Sequence, residues 1–150
     1  MKKLIALLLL LLSSTVHANC TLYVFYNHDL SALVKKNNGW HFSNFNEVCR
    51  NLQKNNLAAH ITQMEIISTS ATTVSTSVKV YPLEIKNKYD QMILTSSGVA
   101  SMVSSSDRTT ETLDRLKYQD ANDALNELTT KSGAWPEIIQ QVTFIRKHIK

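Results

Sequence analysis

Apolar and polar residues alternate most regularly in the middle of the chain, at residues 72–81. One side of this stretch carries Thr72, Val74, Thr76, Val78 and Val80, and the other carries Thr73, Ser75, Ser77, Lys79 and Tyr81. Eight of the ten residues at 68–77 are serine or threonine, a composition that also fits a disordered linker. The period of two favours a half-buried strand instead.

Two further segments have the composition of strands. Residues 59–67 include Met64, Ile66 and Ile67, and residues 89–103 place Met92, Leu94, Ala100 and Met102 on one side. Residues 86–88, Lys-Asn-Lys, predict the turn before the last strand. Gly98, inside that strand, indicates a bulge or a close approach of another backbone segment.

Residues 21–36 allow two interpretations. Residues 21–26 are rich in aromatic and β-branched side chains, which favour a strand. Alternatively, Asp29 caps a short helix that runs to Lys36, with Leu30, Leu33 and Val34 on one face. The following Asn37-Asn38-Gly39 predicts a turn, because asparagine and glycine tolerate positive φ.

Apolar residues at helical spacing predict three more helices. The first spans about residues 45–54, the second residues 108–130, and the last begins near Pro136. Their apolar faces comprise Phe45, Val48, Cys49 and Leu52 in the first, Leu113, Leu116, Ala121, Ala124, Leu125 and Leu128 in the second, and Ile138, Ile139, Val142, Ile145 and Ile149 in the last. We therefore predict an α+β fold, a small antiparallel sheet of about three strands with helices packed on one face.

The first 18 residues have the layout of a secretory signal peptide. Lys2 and Lys3 precede nine apolar residues, a polar neck follows, and Val16-His17-Ala18 fits the cleavage pattern. The apolar run is less than half of the about 20 residues that a membrane-spanning helix needs. We predict cleavage after Ala18, a single exported domain at residues 19–150, and a bacterial periplasmic or secreted product.

Charge and composition narrow the class of partner. The formal charge of +4 falls to +2 once Lys2 and Lys3 are removed, and the remaining cations are scattered along the chain. This distribution does not predict nucleic-acid binding. No second apolar run approaches membrane length, so we expect no transmembrane segment after signal removal.

The exported part contains two cysteines, Cys20 and Cys49. An isolated pair in an oxidising compartment usually forms a disulfide, which would join the new N-terminus to the helix predicted at about residues 45–54. A catalytic or metal-binding thiol is the alternative, but no CxxC spacing accompanies either cysteine.

No sequence motif indicates catalysis, a metal or a cofactor. The chain has neither an HExxH helix nor a GxSxG elbow, and its three glycines form no phosphate-binding loop. We therefore select no catalytic or metal-ligating residue and predict no cofactor.

These observations favour a non-enzymatic protein that binds another envelope or exported protein, such as an inhibitor, an immunity-type protein or an accessory factor. The candidate contact patch comprises Trp40, His41 and Phe42, with Ser75 and Ser77 on the polar side of the central strand. The alternatives are a small cell-wall hydrolase, which would need a cleft with convergent polar residues, and a small-ligand carrier, which would need an apolar cavity between sheet and helices.

Overall fold

The structure, a computed structural model, describes residues 20–149. The predicted signal peptide and its cleavage point lie outside these residues and stay predictions. The described elements, in chain order, are β1 (Val24–Phe25), α1 (His28–Lys36), α2 (Phe45–Lys54), β2 (Leu57–Ile67), β3 (Thr72–Pro82), α3 (Leu83–Tyr89), β4 (Gly98–Ser105), α4 (Thr110–Asn126) and α5 (Trp135–His148).

The four strands form one sheet in the order β1-β2-β3-β4. β2 and β3 pair antiparallel along their whole length, from Leu57 opposite Pro82 to Ile67 opposite Thr72. β4 pairs antiparallel on the other side of β3, and the two residues of β1 pair parallel to β2. The predicted α+β class with helices on one face is confirmed, but the sheet has four strands because β1 adds a short parallel edge.

The alternation predicted for the central strand is seen in its burial. Thr72, Val74, Thr76, Val78 and Val80 are all buried, whereas the intervening residues 73–79 are half-buried. The inner face of the sheet, defined by the buried set, packs against the helices. The core there includes Leu30 of α1, Leu52 of α2, Leu125 of α4 and Ile138 of α5.

Residues 21–36 contain both a strand and a helix, but the strand has only two residues and the helix is capped by Asn27, not by the predicted Asp29. After the two residues of β1, the side chain of Asn27 accepts a hydrogen bond from the Leu30 amide at 2.9 Å and caps α1. Burial of Leu30, Leu33 and Val34 holds this helix on the core. The predicted turn follows, with positive φ at Asn38 and at Gly39.

The segment before β4 differs from the prediction. Residues 86–88 belong to helix α3, not to a turn, because burial of Ile85 anchors that short helix. The strand begins only at Gly98, since the hydrogen bonds of β3 at Val80 are taken by Thr95 through its amide and its hydroxyl. Gly98 forms no bulge in the β3–β4 register; a Cβ there would collide with the carbonyl oxygen of Val78.

The predicted disulfide is present. Cys20 is bonded to Cys49, with 6.0 Å between their Cα atoms. Cys49 is fully buried on the inner side of α2, so the bond ties the start of the described chain to the core.

Candidate binding surface

The outer face of the sheet is the side opposite the helices. The register places its side chains in rows that run across the strands, because residues paired in an antiparallel ladder point to the same side. Met64, Ser75 and Met102 form one such row, and Ile66, Thr73 and Ser104 form the next. A third row contains Thr62, Ser77 and Ala100, and Phe25 lies beside His60 at the β1 edge. We use "outer face" for Tyr23, Phe25, His60, Thr62, Met64, Ile66, Thr73, Ser75, Ser77, Lys79, Ala100, Met102 and Ser104.

This face holds most of the exposed large apolar side chains. Residues 20–149 expose seven of them, and five lie on the outer face: Tyr23, Phe25, Met64, Ile66 and Met102. Met64 is 64% exposed and Met102 is 69% exposed. Because isolated exposed apolar residues are normal but clustered ones are not, the clustering on one face identifies it as a candidate binding surface.

The outer face is polar between its methionines without being strongly charged. Ser75 lies between Met64 and Met102, and the hydroxyl groups of Thr73 and Ser104 are hydrogen-bonded at 2.8 Å. His60 and Lys79, which are paired near one end of the face, are its two basic residues. Partial burial lowers the pKa of His60, which stacks on Phe25 with 5.4 Å between ring centroids. The surface can therefore offer apolar contact and neutral hydrogen-bonding groups.

The Trp40–Phe42 part of the predicted patch lies elsewhere. Trp40 packs edge-on against Tyr26, and Phe42 packs against Phe45, with centroid distances of 5.3 Å and 5.4 Å. Both side chains are half-buried against the hydrophobic core on the helical side of the sheet. The structure therefore does not bring them together with Ser75 and Ser77, which lie on the outer face.

His41 is exposed, and its hydrogen bonds hold the loop that contains it. Its amide donates to Oδ1 of Asn122 in α4 at 2.8 Å, and its ring Nε2 lies 2.8 Å from the carbonyl oxygen of Asn37. Nearby, the Tyr118 hydroxyl donates to the carbonyl of Gly39 at 2.7 Å. The bonds to Asn122 and Tyr118 fasten the segment between α1 and α2 to α4, and the ring contact with Asn37 holds the loop to the end of α1.

A groove of about 310 Å³ lies where β1 ends beside β2. It is lined by Phe25, Tyr26, Asn27, Leu30, His60, Ile61, Thr62 and Gln63. Within residues 20–149, the hydrogen-bonded histidine rings are those of His41 and His148, and each contacts a backbone carbonyl oxygen. The groove thus offers a concave shape with an aromatic wall.

A second groove, near the end of α5, contains a charged pair with a structural role. Glu84 of α3 accepts hydrogen bonds from the guanidinium of Arg146, which also donates to the carbonyl oxygen of Asn55 at 2.7 Å. Burial raises the pKa of Glu84, but the hydrogen bonds and charge of Arg146 outweigh it, so the pKa lies below its ordinary value. The pair joins α3, α5 and the end of α2.

Sequence reasoning missed a polar layer beneath α4. Lys117 is buried and its ammonium lies 2.7 Å from Glu65 and 3.7 Å from Asp29. The side-chain amide nitrogen Nε2 of Gln63 donates both to the hydroxyl of Thr76 and to the backbone carbonyl of Lys117. Lys117 lies four residues after Leu113 and four before Ala121, two members of the predicted apolar stripe. This helical spacing was the available signal that a charged residue faces the sheet.

Other kinds of site find no support in the described part of the chain. No group of three or more histidine, cysteine, aspartate or glutamate side chains in residues 20–149 is arranged to hold a metal ion. None of the helices in that range is both long and apolar enough to span a bilayer. Comparisons with protein-family models, with curated proteins and with solved structures give no match.

Proposed function

We propose that this chain is an exported, non-enzymatic protein that binds another envelope or exported protein through the outer face of its sheet. The observation that carries the proposal is the concentration on that face of five of the seven large apolar side chains that residues 20–149 expose. An inhibitor, an immunity-type protein or an accessory factor in surface assembly would use such a surface.

The composition of the face supports protein binding rather than simple solvation. Met64 and Met102 have flexible, polarizable side chains that adapt to a partner's shape. The serine and threonine hydroxyls between them cost less to desolvate than lysine or glutamate, and each can donate or accept a hydrogen bond. We expect the partner surface to be apolar at its centre and to carry few charges opposite the Met64–Ser75–Met102 row.

The compartment is part of the same proposal. The signal-like sequence at residues 1–18 and the disulfide between Cys20 and Cys49 agree with an oxidising location, because such bonds persist in the periplasm and outside cells. We infer a periplasmic or secreted protein, cleaved after Ala18, whose partner is present in that compartment.

Site-specific photo-crosslinking in the native host tests the binding face. A benzophenone amino acid replaces Ser75, at the centre of the outer face, in one variant and Gln140, exposed on α5, in the matched control. Irradiation of intact cells should give a covalent adduct of one discrete mass from the Ser75 variant and none from the Gln140 variant. Adducts of equal yield from both positions, or from neither, would contradict the proposed face.

Affinity for the partner identified in this way gives a second test. Replacing Met64 and Met102 with serine together should weaken binding by about tenfold or more, because central apolar contacts dominate interface energy. Replacing Trp40 with leucine should leave binding unchanged, since Trp40 packs on the other side of the sheet. The opposite ranking would move the contact to the predicted Trp40–Phe42 patch.

A further inference from the structure

β4 is an edge strand with an open side. It pairs with β3 through eight consecutive residue pairs, and within residues 20–149 no strand lies on its other side. A strand edge of this kind presents a row of backbone N–H and C=O groups that another strand can pair with.

The hydrogen-bond pattern of the sheet identifies the outward backbone groups. The amide of Ala59 donates to the carbonyl oxygen of Tyr23. The backbone N–H and C=O groups of odd-numbered residues in β2 therefore point toward β1, and those of even-numbered residues point toward β3. By the register, the backbone groups of even-numbered residues in β3 then point toward β4. The hydrogen bond from the Thr95 amide to the Val80 carbonyl has the same direction. The backbone groups of Ala100, Met102 and Ser104 therefore point away from the sheet.

The β4 edge lacks the features that usually prevent strand pairing. Gly98–Ser105 contains no lysine, arginine, aspartate, glutamate or proline, and its register with β3 has no bulge. Ala100, Met102 and Ser104 are also exposed. The opposite edge differs, because it is partly paired with β1 and carries Glu65.

We propose that β4 pairs antiparallel with β4 of a second copy of this chain. With a two-fold axis at Ser101 or at Met102, residues whose backbone groups point away from β3 lie opposite residues of the same kind in the second copy. An antiparallel ladder requires this arrangement. In either register every opposed pair is uncharged, whereas a single charged residue at the axis would face its own copy. The product is a continuous eight-stranded sheet in which the two outer faces join.

This inference does not depend on the proposed function, because it uses backbone groups at the edge and not the side chains at the centre of the face. The test is the mass of the oxidised, mature protein by sedimentation equilibrium over a wide concentration range. We expect a reversible monomer–dimer equilibrium. In the dimer, hydrogen exchange at the amides of Ala100, Met102 and Ser104 should slow as the concentration rises.

Variants separate edge pairing from contact through the face. Ala100→Pro removes an outward N–H that is not bonded to β3 and should raise the dimer dissociation constant about tenfold or more. Ala100→Lys and Ser77→Lys form a matched pair, since the two residues are cross-strand neighbours on the outer face. The lysine at residue 100 should weaken the dimer and the lysine at residue 77 should leave it intact. Circular dichroism establishes that each variant is folded.

Three outcomes would overturn the proposal. The first is a protein that stays monomeric at millimolar concentration with fast exchange at all three amides. The second is a dimer that Ser77→Lys disrupts and folded Ala100→Lys does not. The third is protection of the three amides that arises only when another protein is added, which would assign the edge to a foreign strand.

Discussion

Asp120 gives the most direct test of the packing between α4 and the sheet. Its side chain is fully buried, and neither carboxylate oxygen has a hydrogen-bond donor within the described residues. Oε1 of Gln63, in the polar layer around Lys117, is also buried without a donor among the described residues. The nearest cation along the helix, Lys117, is committed to Glu65 and Asp29.

Replacing Asp120 with asparagine should therefore stabilise the protein. The substitution keeps the size of the side chain, so it opens no cavity, and it removes an unpaired carboxylate. A buried polar group without a partner costs about 1–3 kcal/mol, and a charged one costs more. We expect the free energy of unfolding at neutral pH to rise by about 1–2 kcal/mol, because the amide that replaces the carboxylate is itself not fully paired.

Urea unfolding of the oxidised mature protein, followed by circular dichroism, measures the difference. An unchanged dependence of the unfolding free energy on urea concentration would show that the same surface is exposed in both proteins. Asp123, exposed on the same helix, supplies the control, and Asp123→Asn should change stability by no more than about 0.5 kcal/mol. A loss of stability in Asp120→Asn would refute the reasoning, because it would mean that the carboxylate has a favourable partner.

Three further predictions concern the processing of the chain and the links between its elements. The intact mass of the exported protein should correspond to a chain that begins at Asn19 and is two hydrogens lighter than its reduced form. Cys20→Ser, which leaves the buried Cys49 in place, should lower the free energy of unfolding by about 3–4 kcal/mol, the value for a loop of 29 residues. A cost near zero would contradict the stabilising role of the bond. Because the folded-state pKa of Glu84 lies below its ordinary value of 4.5, its ion pair with Arg146 stabilises the fold above that pH, and the effect disappears as the pH falls through the folded-state pKa. Glu84→Gln should destabilise the protein at neutral pH by no more than about 1 kcal/mol, since the pair is partly exposed. The difference in stability from the wild type should vanish in acid. A difference that is independent of pH would show that the charge of Glu84 is not involved.

The elements that the sequence predicted well are those in which one periodicity covers the whole segment. β3 is the clearest case, because burial alternates from Thr72 to Val80 as the pattern requires. Tyr81, predicted on the polar side, is buried instead. α3 was missed because Lys86, Asn87 and Lys88 have the composition of a turn, and the burial of Ile85 that holds the helix depends on tertiary contacts. The strand predicted from residue 89 begins only at residue 98 for a similar reason, since Thr95 replaces ladder pairing with side-chain hydrogen bonds.

The candidate site was predictable in part. Alternation along β3 placed Ser75 and Ser77 on the less buried side of the sheet, where the structure has them. The methionines on either side of Ser75 could not be assigned to this face without the register of β2 and β4. Trp40 and Phe42 were chosen for their residue type alone, and residue type does not distinguish an aromatic anchor at an interface from one that packs on its own core.

The two proposed contacts use different chemical groups and can form at the same time. A partner on the outer face would contact side chains such as Met64 and Ser75, which project perpendicular to the sheet. A second copy at β4 would instead use the backbone of Ala100 and Met102 in the plane of the sheet. Met102 belongs to both surfaces, so dimerisation would bring the two faces together beside it. If both proposals hold, a variant that prevents strand pairing should weaken partner binding only when the partner spans the two joined faces. Such a partner binds with a stoichiometry of one per dimer. A partner that uses a single face binds with a stoichiometry of one per chain.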